Sequence, residues 1–338
     1  MDIKYNVALI GCGAISATHL ECINKIRGLT LKAVCDTAVK KAMPIAHKYG
    51  CKAYTDYKEL LANPEIDAVH ILTPHHLHAK MAADALAAKK HVLLEKPVGI
   101  NLQEIKKLVQ SEKESDKRIS VVFQNRYNHT SRKMKEVIAG GTLGKLIAVK
   151  GLVMWHREED YYLKSGWRGK WASEGGGLLI NQAIHTIDLM RWLGGDIGGV
   201  KGHVENSAHP GIEVEDAANA TLYYKNGAVG SFFGTTSHGI NSKVELEFVM
   251  EGGVLRLLDD RLYLSVGGRR KLLAKDKLRG GKKDYWGVSH KACIRAFYEA
   301  VSENRAPDVT LTDAKVTNEI VLGIYESSNK REKYNLEG

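Results

Sequence analysis

Asn6-Val7-Ala8-Leu9-Ile10-Gly11-Cys12-Gly13-Ala14-Ile15-Ser16 runs from a short apolar segment into a glycine-spaced turn, and His19 to Arg27 then reads as a helix. The order is strand, glycine turn, helix. Gly11 permits the tight turn and Gly13 lets the backbone approach a pyrophosphate, while the first amides of the helix offer unpaired donors to that anion. Ser16 stands where a third glycine or alanine is usual and is small enough to pack or cap there. Such spacing is common by chance, so its surroundings decide what it means.

A second apolar strand, Leu31 to Cys35, ends at Asp36, about twenty residues past the motif. A carboxylate at that place accepts hydrogen bonds from the adenosine ribose hydroxyls and repels a 2′-phosphate. No arginine stands among Thr37, Ala38 and Val39, so NAD is expected as cofactor rather than NADP. Helices are predicted at Lys41 to Tyr49, Tyr57 to Ala62, Leu77 to Ala88 and Leu102 to Lys113. They alternate with strands at Ala53-Tyr54, Ala68 to Leu72, His91 to Glu95 and Ser120 to Gln124. That alternation predicts an α/β domain, a Rossmann-type doubly wound parallel sheet over residues 1–122. Ligands of such sheets lie beyond the carboxyl ends of the strands, where Gly11, Asp36, Thr73, Glu95 and Gln124 fall.

The 338 residues are too many for one ordinary core and suit two domains. Five cysteines, an odd number without C-x-x-C spacing, read as buried thiols. The chain starts straight into a strand with no leader-like pattern, and no apolar run is long enough for a bilayer, so a cytoplasmic protein without membrane contact is expected. The net charge of +10 is concentrated at Arg269, Arg270, Lys271, Lys275, Lys277, Arg279, Lys282 and Lys283. That stretch lacks interleaved aromatics and any nucleic-acid-binding motif, and is expected to be a solvated loop or hairpin, with no nucleic-acid partner. His75-His76-Leu77-His78 packs three imidazoles into four residues, but neighbours on one turn do not converge on one ion, and no metal is expected.

Glu95-Lys96-Pro97 follows a buried strand and sets a lysine at the mouth of the cofactor cleft, with proline fixing the exit direction. Farther on, Glu174-Gly175-Gly176-Gly177-Leu178-Leu179-Ile180-Asn181-Gln182-Ala183-Ile184-His185-Thr186-Ile187-Asp188-Leu189 reads as a glycine triplet opening a helix. Asn181, His185 and Asp188 project from one face of it. Together with Thr73-Pro74 and His78, Asn125-Arg126-Tyr127, Gly144-Lys145-Leu146 and a last helix at about Asp313 to Asn329, these motifs resemble the Gfo/Idh/MocA family of oxidoreductases over nearly the whole chain. The resemblance implies that Lys96 is catalytic. It also implies that residues 123–338 form an α+β domain with an open-faced, mainly antiparallel sheet, carrying the substrate site and a homodimer or homotetramer interface. Strand-like runs at Lys145 to Trp155, Val200 to Glu205, Ala217 to Tyr224, Ala228 to Thr235, Lys243 to Met250, Gly253 to Leu258 and Arg261 to Val266 agree with such a sheet. One departure stands out: many members have aspartate where this chain has Asn181.

Oxidation of an alcohol requires a base for the hydroxyl proton and a donor to the same oxygen. His185 is expected as base, Lys96 as the donor, and Asn181 as the group that orients sugar or imidazole. Cofactor contacts are expected from Gly11, Gly13, Ala14, Ile15, Asp36, Thr73, Pro74, His78, Glu95, Lys96, Asn125 and Arg168. A carbohydrate substrate is expected against Lys96, Arg126, Tyr127, Trp155, Trp167, Arg168, Asn181 and His185, because three of the five tryptophans fall between Trp155 and Trp171 and offer faces for pyranose rings. Two alternatives stay open at this point: redox-neutral cleavage of a glycoside through a transient keto sugar, and a non-catalytic NAD-binding sensor.

Overall fold

The computed structural model describes residues 3–277 and 289–337. The chain divides into two compact units, Met1–Val122 with His290–Lys315, and Phe123–Ser289 with Val316–Gly338.

The first unit is built on six strands: β1 (Tyr5–Ile10), β2 (Leu29–Cys35), β3 (Lys52–Tyr54), β4 (Ala68–Ile71), β5 (His91–Leu94) and β6 (Ile119–Val121). They lie in the order β3-β2-β1-β4-β5-β6, all parallel. Helices α1 (Ser16–Lys25), α2 (Val39–Tyr49), α3 (Tyr57–Leu61), α4 (His78–Ala87) and α5 (Leu102–Lys113) connect them. Strands covered on both faces need continuous apolar runs, and Val7, Ala8, Leu9 and Ile10 are all buried. The order reverses between β1 and β4, which opens the crevice where such sheets bind ligands.

This unit is discontinuous, since residues 290–315 return to it beyond the span expected from the sequence. Their helix buries Cys293, Ile294, Phe297, Tyr298 and Val301 and packs on α1 and β5. Hydrogen bonds from Ser120 Oγ to Val309 O (2.8 Å) and from Arg118 Nη2 to Asn304 Oδ1 (3.0 Å) hold the returning segment.

The second unit carries nine strands: β7 (Leu146–Met154), β8 (Ile197–Glu205), β9 (Ala217–Tyr224), β10 (Val229–Thr235), β11 (Glu245–Met250), β12 (Gly253–Leu258), β13 (Arg261–Val266), β14 (Arg269–Lys275) and β15 (Tyr334–Asn335). Their order is β14-β13-β12-β11-β7-β10-β9-β8-β15, antiparallel throughout except for β7 beside β10. Alternation shows which face is covered: Leu246, Phe248 and Met250 are buried, and Glu245, Glu247 and Val249 between them are only half so. Helices α6 (His129–Ala139), α7 (Glu159–Leu163) and α8 (Ile184–Gly194) belong to this unit, as does most of α10 (Leu311–Lys330), with α9 the His290–Ser302 helix of the first. The basic stretch begins as β14, the second strand of a hairpin with β13; Arg279, Lys282 and Lys283 lie outside the described residues. Among the described residues no helix is long and apolar enough to cross a membrane.

Candidate active site

In the first unit the candidate cofactor cradle forms at the carboxyl ends of β1 and β2. Gly11 sits at φ +103°, and a Cβ there would lie 2.6 Å from Leu72 O, so no side chain fits. Gly13 and Ala14 are exposed, and Ser16 Oγ donates to Gly13 O at 2.7 Å, fixing the turn as α1 begins. Asp36 accepts from Cys12 N (3.0 Å) and Ala38 N (2.9 Å), which holds its carboxylate at the edge of this turn. A steric cradle with exposed amides and a fixed carboxylate fits the pyrophosphate and ribose of a dinucleotide.

The strand ends that follow are locked from within. His78 is buried with Nδ1 2.7 Å from Pro97 O and Nε2 2.8 Å from Thr73 O, so it ties the Thr73-Pro74 turn to the loop after Lys96. Both nitrogens are engaged, and His78 acts on the cleft by holding these loops. Glu95 also faces inward, 7% exposed, and accepts from His19 Nε2 at 3.1 Å. Burial pushes its carboxyl up, but the His19 hydrogen bond and the charges around it, Lys96 among them, outweigh this and hold it at about 2. His19 Nδ1 meets His70 Nδ1 at 2.9 Å, and His70 Nε2 meets the Tyr298 hydroxyl at 2.8 Å. Burial keeps His70 well below the usual histidine range and Tyr298 well above the usual phenol range. His19 Nε2 donates to the acceptor-only Glu95 carboxylate, and the His19–His70 and His70–Tyr298 bonds continue the chain inward from it. Lys96 is partly exposed at the end of this buried chain.

In the second unit the glycine triplet opens a π-helix, Leu178–Ala183, that runs into α8, where the sequence suggested a plain α-helix. From Glu174 to Met190 every residue is buried except Asn181 and His185. Asp188 faces inward: Arg126 grips it with Nε (2.7 Å) and Nη2 (2.6 Å), and Thr317 Oγ1 adds a third bond at 2.9 Å. Arg126 is therefore a buried structural partner, 4% exposed, whose guanidinium also lies over the Phe123 and Trp192 rings, and not the substrate contact the sequence suggested. Tyr127 and Trp155 are likewise buried packing residues, Tyr127 under Arg132 and Trp155 donating from Nε1 to Ser242 O at 3.1 Å. Arg168 is held between Tyr161 and Trp167, 4.5 and 4.6 Å from their ring centroids, with a buried Nε that has no partner among the described residues. Asn125 Oδ1 is a second buried atom of that kind.

Both family models match, the Gfo/Idh/MocA oxidoreductase family with NAD-binding Rossmann fold over residues 5–123 and the Gfo/Idh/MocA C-terminal domain over 131–256. The chain belongs to the Gfo/Idh/MocA family. It is an NAD-dependent oxidoreductase with the two-part fold that the sequence motifs implied. The Bacillus subtilis oxidoreductase YrbE, itself uncharacterised, is 27% identical over 328 residues, covering 94% of this chain and 93% of its own. An inositol 2-dehydrogenase of Rubrobacter xylanophilus is 28% identical over 74% of this chain and 70% of its own. The WlbA dehydrogenase of Bordetella pertussis, solved with NADH and UDP-GlcNAcA, is 27% identical, covers 99% of both chains and superposes with a TM-score of 0.87.

Two residues of this Gfo/Idh/MocA site escaped sequence reasoning. Glu174, fully buried, accepts from Asn181 Nδ2 at 2.5 Å and from Gly169 N at 2.6 Å. Glu215 accepts from the amides that start the π-helix. In the sequence both look like ordinary surface charges; the one hint is that Glu174 abuts the glycine triplet.

Proposed function

We propose that this chain oxidises a secondary hydroxyl of a sugar, sugar derivative or cyclitol, with Lys96 and His185 acting on the reacting oxygen. The observation that carries this reading is the exposure pattern of Glu174 to Met190, where Asn181 and His185 alone reach the surface. Burying that whole segment except one imidazole and one amide is what presentation of a base to a ligand requires. His185 takes the hydroxyl proton, and Lys96 Nζ donates a hydrogen bond to the same oxygen, stabilising the alkoxide as it forms. NAD held at Gly11, Gly13 and Asp36 supplies the hydride acceptor. In the reverse direction His185 returns the proton.

Asn181 is fixed by Glu174, so the negative charge that many relatives carry at position 181 lies here one hydrogen bond behind it. Trp167 and Tyr161 offer ring faces, and Arg168 between them offers a cation to an anionic group of substrate or cofactor. The relatives named for inositol and crystallised with UDP-GlcNAcA support a polyhydroxylated ring as substrate. The half-open face of the nine-stranded sheet, with Val229 44% and Phe233 40% exposed, supports pairing with a second copy, to be measured by sedimentation.

The test is to mix protein and NAD with free sugars, inositols, sugar acids, glycosides and nucleotide sugars, following NADH absorbance and product mass together. Accumulation of NADH with one class is expected. Cleavage of a glycoside with no net NADH contradicts the proposal.

A further inference from the structure

The start of the helix that carries Asn181 and His185 is held almost entirely by one residue. Gly177 N donates to Glu215 Oε2 at 2.8 Å, Leu179 N to Glu215 Oε1 at 2.8 Å, and Leu178 N to the Glu215 main-chain oxygen at 3.1 Å. Three successive amides that a helix start leaves without intrahelical partners are thus satisfied from one glutamate on the loop before β9. A fourth donor comes from α10, where the Tyr325 hydroxyl reaches Glu215 Oε1 at 2.8 Å. The Tyr325 ring stands edge-on to Trp171 at 5.2 Å and 87°.

The glycine triplet follows from this clamp. A Cβ on Gly176 would lie 2.0 Å from the Tyr325 hydroxyl, and one on Gly177 2.0 Å from the Glu215 main-chain oxygen. Gly176 and Gly177 thus admit the Tyr325 phenol and the Glu215 main chain to the helix start. The other end of the segment is pinned by Asp188 on Arg126 and Thr317.

We propose that Glu215 is a positioning residue for His185: its ionised carboxylate, clamping the amides of Gly177 and Leu179, sets the placement of the imidazole, and protonation of that carboxylate releases it. The inference rests on the reading of His185 as the base. The geometry is that of an anion, because all three partners of the side chain are donors. A proton added to it is accepted only if the Tyr325 hydroxyl turns its own hydrogen away, and the two amide bonds at the helix start lose the charge that strengthens them.

The group titrates where this matters. Burial pushes the Glu215 carboxyl up to about 7, with the amides of Leu179 and Gly177 and the Tyr325 hydroxyl pulling the other way. The titratable groups around the clamp are Tyr325 of α10 and, acting on the same phenol, Glu174 of the preceding loop. Since the folded value lies above the ordinary carboxylate value, this group favours folding most in acid, and its contribution is lost as pH rises to about 7. The clamped form is therefore reached at some expense of stability.

The test uses full-length protein labelled with ¹³C at the glutamate carboxyl and ¹⁵N in histidine, titrated by NMR between about pH 5 and 9. The Glu215 signal is expected to inflect near about 7, and the His185 ring signal to inflect at that same midpoint in addition to its own. Tyr325→Phe removes one donor to the anion and leaves both amide bonds, so both inflections should move upward together, by about one unit. Glu215→Gln should erase the shared inflection from His185; should that variant not fold, Tyr325→Phe decides alone. A His185 signal blind to the Glu215 midpoint, or a midpoint that ignores Tyr325→Phe, overturns the proposal. No sugar turnover enters the readout, so loss of the proposed substrate class leaves this result standing, and the reverse.

Discussion

The side-chain amide of Asn181 donates to the buried carboxylate of Glu174 at 2.5 Å. This pairing favours an amide at 181, since a carboxylate there would meet a second carboxylate head-on. Asn181→Asp forces the pair to share a proton and raises one of the two pKa values. A raised folded-state value means that stability is retained in acid and lost as pH rises. The variant should therefore melt close to wild type at about pH 5 and several degrees lower at about pH 8, with Glu174→Gln in the same chain restoring it. Equal melting at both values would show that the two side chains do not meet.

Asp36 shapes the glycine turn through Cys12 N and Ala38 N, and it is the residue proposed to meet the ribose. Asp36→Ala should weaken NAD binding about tenfold, about 1.4 kcal/mol, and weaken NADP less, narrowing the preference. Calorimetric titration with both dinucleotides measures this. Unchanged NAD affinity would remove Asp36 from the cofactor site.

Arg126 and Asp188 form a bidentate pair at 3% and 1% side-chain exposure. Arg126→Ala leaves a buried carboxylate with Thr317 and should cost about 3–5 kcal/mol, seen as a lower urea midpoint. Arg126→Lys should recover only part, because an ammonium does not match the fork. A cost below about 1 kcal/mol would mean that water replaces the guanidinium.

The first unit was legible because each of its strands is a short apolar run with a helix after it, so Val7 to Ile10, Ala68 to Ile71 and Val92 to Leu94 announce themselves. The glycine motif and Asp36 lie where their spacing puts them. What stayed hidden is long-range. The helical period of Ile294, Phe297, Tyr298 and Val301 is in the sequence, yet nothing local tells that this face returns to α1 and β5. Periodicity also gave one exposed face to Asn181, His185 and Asp188, but helix type and burial separate them: Asp188 turns inward to Arg126. Arg126, Tyr127 and Trp155 carry the right chemistry for a sugar site and are spent on packing, a choice made by neighbours far away in the chain. Glu174 and Glu215 failed to stand out for the converse reason, since a lone glutamate reads as solvated until its donors are seen.

The most direct measurement compares wild type with Lys96→Met, following NAD binding by calorimetry and NADH formation on the substrate class found in the panel. NAD should bind both proteins nearly equally, and NADH should form with wild type alone, because on the proposed reading the decisive contact of Lys96 is with the reacting oxygen. NADH formation by Lys96→Met at the wild-type rate would contradict the assignment of Lys96 to the chemistry.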